Sequence, residues 1–142
     1  MSKTSWSTPD YSNEEVNAAG RTLLNPGSKI DAFGKALTIV NNWRSCHGFP
    51  LNTIQVRLRQ KAKEIDPHSL VAQRIKRLPS ITAKLQRESK MKLTQMQDLG
   101  GCRAVVDSVK RVYDLVASYR KGDIRHTLVH VDDYIISPRS SG

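Results

Sequence analysis

Apolar residues recur at helical spacing through the first 65 positions, and then the period changes. After a polar arm over residues 1–10, with Trp6 as a candidate anchor, Ser12 precedes Asn13-Glu14-Glu15. That is a capping serine followed by acids at the positive end of a helix. The helix is expected to end near Asn25-Pro26-Gly27, a turn signal. Ser28 is the predicted cap of a second helix, with Ile30, Phe33, Leu37, Val40 and Trp43 as its buried stripe. His47-Gly48-Phe49-Pro50 breaks it, and Pro50 suits the first turn of a third. There Leu51, Ile54, Leu58, Ala62 and Ile65 form the apolar stripe, with Arg57, Arg59, Lys61 and Lys63 outside it, up to Asp66-Pro67.

From Leu70 to Leu78 the period shortens to two. Arg74 and Lys76 flank Ile75, which predicts a strand with its cations on one face. Pro79 and Ser80 start a fourth helix carrying Ile81 and Leu85, with Arg87, Lys90 and Lys92 toward its end. Leu99 to Val106 reads as a second strand, glycine-rich where it begins. Ser108 is expected to cap a helix that buries Val112, Leu115, Val116 and Tyr119 and ends near Gly122. Ile124 to Val131 alternates loosely as a third strand, and Tyr134-Ile135-Ile136 before Pro138 fits a short fourth. Strands alternating with helices after a helical prelude predict an α/β (α+β) chain, with a helical element over 1–69 and a mixed-sheet domain over 70–142. A sheet this small with this much helix, ending on the loop 137–142, is expected to be incomplete at the C-terminus.

Composition narrows the function classes. At 142 residues, 38% apolar and 25% charged, the chain has one domain's worth of sequence with a real core. An aromatic content of 6% argues against a stacking platform for single strands. The net charge of +10 implies an anionic partner. It is concentrated: from Arg57 to Lys92, eleven Lys or Arg face three acids, a surplus of +8. Cys46 and Cys102 are far apart and belong to no Cys/His cluster, so neither a disulfide framework nor a zinc site is expected. No apolar run approaches the roughly 18 residues that span a bilayer, and no signal-peptide pattern is present, which predicts a cytoplasmic protein with no membrane partner.

The candidate chemistry lies between Arg74 and Arg103. Arg74 and Lys76 share a strand face, and Lys76, Ser80 and Lys84 follow at steps of four across a strand-to-helix turn. Ser80 offers a hydroxyl beside the free N–H groups of a helix start, an arrangement that suits phosphate. Asp98 precedes Leu99-Gly100-Gly101, where glycine lets a ligand come close to the backbone. A carboxylate there suits Mg²⁺ held together with phosphate oxygens. Arg103 can balance a phosphate or stack on a base. Taken singly, these residues also fit an exposed basic strand, an ordinary capping serine and a turn aspartate; their concentration in one stretch favours the ligand. The four histidines are scattered and read as surface residues.

Three ordered blocks carry a resemblance: Arg74-x-Lys76-x-x-x-Ser80-Ile81-x-x-Lys84-Leu85, then Gln97-Asp98-Leu99-Gly100-Gly101-x-Arg103, then Asp133-Tyr134-Ile135-x-x-Pro138-Arg139-x-Ser141-Gly142. Over residues 70–142 the chain closely resembles the synthetase domain of RelA/SpoT proteins. Residues 1–69 are similar, less distinctively, to the helical element of small stand-alone alarmone synthetases. The resemblance implies a nucleotidyltransferase-type mixed sheet that moves pyrophosphate from ATP to the ribose 3′-hydroxyl of GDP or GTP, with Mg²⁺. It implies that Arg74 packs on the adenine, that Lys76, Ser80 and Lys84 hold the triphosphate, and that Asp98 binds the metal. Arg103 would lie beside the nucleotide, and Arg139 would meet acceptor phosphates. Two departures stand out. Asp132 replaces a cation common in the family, and the expected acceptor-stacking tyrosine and second metal-binding glutamate would lie beyond Gly142. The expectation is therefore the donor half of a pyrophosphokinase site, inactive as this fragment, with a possible homo-oligomer. The alternatives are a toxic relative that modifies the 3′ end of tRNA and a non-catalytic basic RNA-binding module.

Overall fold

The computed structural model describes residues 5–122 and 126–140. The first four residues of the expected arm, Ile124 at the start of the expected third strand, and Ser141-Gly142 at the end of the last motif lie outside the described residues.

Helix α1 spans Asn13–Leu24 and begins with a reciprocal cap. The Glu15 N–H donates to Ser12 Oγ at 3.3 Å, and the Glu15 carboxylate accepts from the Ser12 N–H at 2.9 Å. Helix α2 spans Ile30–Cys46, and here the sequence reading needs two corrections. Ser28 does not cap it: its hydroxyl donates to Thr22 O at 2.9 Å and closes α1 instead, leaving Lys29 at the cap position. The buried stripe is Ala36, Ile39 and Val40, while Ile30 is 90% exposed and Phe33 is exposed as well. Ala36, Ile39 and Val40 share the core with Val16 and Ala19 of α1, and small residues let the two helices approach. That contact turns the buried face away from the large residues at the helix start.

His47 joins α2 directly to α3, Gly48–Ile65, closing one helix and opening the next. Two strands follow, β1 (Leu70–Ile75) and β2 (Gly100–Val105), paired antiparallel with Leu70 opposite Val105 and Ile75 opposite Gly100. Their inner face packs on α3, where Cys102 Sγ lies 3.7 Å from Leu51 O. Between the strands run α4 (Leu78–Arg87) and two short 3₁₀ turns, Leu93–Gln95 and Gln97–Leu99. Helix α4 stops at Arg87, so Lys90 and Lys92 belong to the turn after it rather than to its end. Helix α5 (Val109–Lys121) is capped by Ser108, whose Oγ accepts from the Arg111 N–H, and its apolar side is only half-buried.

The main core draws on both parts of the chain: Val16, Ala19, Ala36, Ile39 and Val40 pack with Ile81, Leu85, Leu93, Met96 and Leu99. A buried aspartate ties the second layer together. Asp66, 1% exposed, accepts from the His68 and Asp107 N–H groups and pairs with Arg111 at 2.8 Å. Burial alone would raise this carboxyl, but those donors and the Arg111 charge together hold it below its usual value.

The fold class is as expected: helices with a sheet, a mixed α/β chain. The strand count differs. Among the described residues the sheet has two strands; residues 126–131 form none, and Tyr134–Ile136 form a turn. The Asp133 carboxylate accepts from the Ile135 and Ile136 N–H groups at 3.0 Å each, a local bond that competes with extended pairing. Cys46 and Cys102 are free thiols. No helix among the described residues is long and apolar enough to cross a membrane.

Candidate nucleotide site

Lys76 follows β1 by one residue and keeps its register. Its N–H donates to Leu99 O at 2.7 Å, and its carbonyl accepts from Arg44 Nε at 3.0 Å. With the backbone held on both sides, the side chain reaches Asp98 Oδ2 at 3.1 Å. Lys84 approaches from α4 and meets Asp98 Oδ1 at 2.7 Å. Asp98 itself lies in a bent stretch (φ −90°, ψ 24°) just before Leu99, which is buried and anchors it. Both lysines are largely covered, at 14% and 19% side-chain exposure, whereas the carboxylate is 52% exposed. Partial burial alone would raise the Asp98 carboxyl. The hydrogen bonds and charges of Lys84 and Lys76 together outweigh it and hold the group below its ordinary value.

The strand pairing brings in the arginines. Arg74 lies opposite Gly101 and Arg103 opposite Ala72, so the two arginines are diagonal neighbours on the outer face. A Cβ on Gly101 would meet nothing within 4 Å, so this glycine opens onto space above the sheet. Gly100 instead faces Leu51 of α3 at ordinary contact distance. Arg74, Asp98, Gly101 and Arg103 line one cleft of about 320 Å³.

Two expected site residues stand apart from this group. Ser80 is exposed, one helical turn before Lys84 on α4. Its own N–H donates to Arg77 O at 3.0 Å, and Pro79 has none, so the open N–H groups expected beside the hydroxyl are reduced. Arg139 lies over the Tyr134 ring, 4.5 Å from its centroid, and hydrogen-bonds the Tyr134 hydroxyl. Tyr134 and His130 both reach Asp132, at 3.1 and 2.8 Å. This group does not line the cleft of Arg74 and Asp98. Sequence reasoning missed Arg44, which fixes the Lys76 carbonyl, because an arginine on a helix gives no sign of its partner.

The donor set suits a hard cation. Among the described residues Asp98 is the one carboxylate lining the cleft, and since Lys76 and Lys84 hold both its oxygens, it could take a cation only as they turn away. The described residues contain no cluster of three metal-ligating side chains. Mg²⁺ is commonly held this way, by one or two carboxylates plus phosphate oxygens and water.

Lys76, just past β1, and Lys84 of α4 thus meet one carboxylate just before the start of β2. Residues 73–142, just under half of the chain, match the family described as a region found in RelA / SpoT proteins, and this match supports membership of that (p)ppGpp synthetase-like family. Every candidate residue, from Arg74 to Arg139, falls within the matched segment. Comparison with curated proteins gives no match.

Proposed function

We propose that the cleft is the donor side of a pyrophosphate-transfer site, taking Mg²⁺-bound ATP and passing pyrophosphate to the ribose 3′-hydroxyl of GDP or GTP. The observation that supports this most is the convergence of Lys76 and Lys84 on Asp98, beside Arg74 and Arg103. Four cations and one carboxylate leave the group at net +3, suited to a triphosphate. In the free protein the lysines neutralise Asp98. A triphosphate would exchange those partners: each ammonium turns to phosphate oxygens, and the released carboxylate holds Mg²⁺. Arg74 and Arg103, exposed on one sheet face, present guanidinium planes for a base or a phosphate. Ser80, a turn ahead of Lys84, adds a hydroxyl donor. Transfer of this kind rests on positioning and charge neutralisation, with little covalent work for the protein. Arg139 is assigned to the acceptor's phosphates.

A fluorescent ATP analogue titrated with and without Mg²⁺ tests the donor half. Lys84→Met should weaken binding about tenfold or more, and Asp98→Asn should remove the Mg²⁺ dependence. Unchanged affinity in a folded Lys84→Met protein would end the proposal. Offering the chain labelled ATP with GDP and, separately, with tRNA tests the acceptor.

A further inference from the structure

On the other side of α4 from Asp98 lies a second basic cavity that the nucleotide reading does not use. It occupies about 220 Å³ between α1 and the turn that follows α4. Its floor is apolar, made by Gly20, Leu85 and Leu93, and its rim carries Arg21, Lys90 and Lys92. The floor is close-packed: a Cβ on Gly20 would come within 3.2 Å of Leu93 Cβ and 3.5 Å of Leu85 Cδ1. The three rim cations are exposed, and none has an ion-pair partner among the described residues. The nearest acid in the turn, Glu88, is within 3.5 Å of Arg87. A shallow trough of about 460 Å³, which shares Ser89, Lys90 and Met91 with the cavity's lining, carries Arg87 and Glu88.

We propose that this cavity binds a phosphate ester, with the rest of the ligand lying along the trough. Three uncompensated cations around one small opening raise the local concentration of anions and favour a tetrahedral phosphate, whose oxygens point in several directions and can meet more than one of them, over a planar carboxylate. The size sets the class further. About 220 Å³ is below the roughly 300 Å³ at which whole-ligand pockets begin, so the cavity takes one phosphorylated group and not a complete nucleotide. The trough leaves room for the attached sugar and base, or for the next phosphate of a chain. Lys84 and Leu85 are consecutive on α4 yet point to opposite places, Lys84 to Asp98 and Leu85 to this floor. The cavity is therefore distinct from the cleft that holds Arg74 and Asp98, and its occupancy does not depend on the function assigned to that cleft.

The test uses the full chain and three probes: inorganic phosphate, GDP, and a short single-stranded RNA oligonucleotide. The comparison is between the native chain, a triple variant Arg21→Gln, Lys90→Gln, Lys92→Gln, and Lys84→Met. The triple variant alters exposed side chains only, and circular dichroism checks its fold. At least one probe should bind the native chain and Lys84→Met equally and bind the triple variant about tenfold more weakly. If the source is RNA, the slope of log affinity on log salt should also fall by about 2 for three lost phosphate contacts. If it is a free nucleotide, GDP shows the loss and RNA does not. Equal binding by the native chain and the triple variant, loss in Lys84→Met instead, or no binding of any probe would each overturn the assignment.

Discussion

Asp98→Asn removes one charge and keeps the side chain's shape, which makes it the sharpest perturbation of the cluster. In the native chain two ammonium groups share this carboxylate, at 3.1 and 2.7 Å. The carboxylate is half exposed, so each pair is worth about 0.5–1 kcal/mol after solvent screening. Two ammonium groups on one carboxylate are at most about 8 Å apart, where unit charges under the same solvent screening repel by about 0.5 kcal/mol. The variant loses both attractions and keeps that repulsion, part of which relaxes as the lysines turn to water. The expected net cost is about 1–2 kcal/mol. The second substitution is the more telling one. Adding Lys76→Met to Asp98→Asn removes the repulsion, so the double variant should be more stable than Asp98→Asn by up to about 0.5 kcal/mol. Lys76→Met alone, by contrast, loses an attraction that outweighs the repulsion it relieves and should be mildly destabilising. Urea midpoints of the four proteins, at salt concentrations of about 0.05 M and about 0.5 M, read this out, and salt should narrow the differences. Equal midpoints for the native chain and Asp98→Asn, or simple additivity of the two substitutions, would refute the account.

Further outcomes follow from packing and from the buried carboxylate. Ile81→Ala, at a fully buried position, should cost about 2–5 kcal/mol in urea unfolding. Ile30→Ser, at a position 90% exposed, should change stability by less than about 0.5 kcal/mol despite its place in an apparent apolar stripe. Asp66 and Asp98 both have depressed carboxyl pKa values in the folded state. Their stabilisation is therefore present above the ordinary aspartate value and disappears as pH falls through the folded value. Asp66→Asn should lower the thermal midpoint by roughly 5 °C or more near neutral pH, and the difference should shrink as pH falls below the ordinary aspartate value of about 3.9. A difference that grew on acidification would contradict that sign.

What could be read from the chain was local. The capping pattern at Ser12 and Glu15, the period change at Leu70 and the cap at Ser108 all depend on neighbours within four residues. Lys76, Ser80 and Lys84 read as a group around one anion, but nothing local showed that both lysines pair with Asp98, 22 and 14 residues away. Pairing was not legible. Arg74 and Arg103 meet only because β1 and β2 align Arg74 with Gly101, a register set by Lys76 and Leu99 as the strands meet. The stripe of α2 was misread because partner geometry, through Ala36 against α1, decides which face is buried. Residues 134–136 looked extended by side-chain type, but Asp133 captures the Ile135 and Ile136 N–H groups first. Arg44 and Asp66 act through contacts 32 and 41 residues away, to Lys76 and Asp107, which no local pattern announces.

The core has a consequence for how the chain can be divided. Val16, Ala19, Ile39 and Val40 close over Ile81, Leu85, Leu93 and Leu99, and Thr94 is held by Asn17 across 77 residues. Neither stretch can seal its apolar side without the other. A cut in the turn between α3 and β1 should therefore yield two polypeptides that remain associated through gel filtration. Produced separately, each should be poorly ordered, and mixing them should restore helical signal with one-to-one stoichiometry. The helical prelude would then act as an intramolecular chaperone for the residues that carry the cleft.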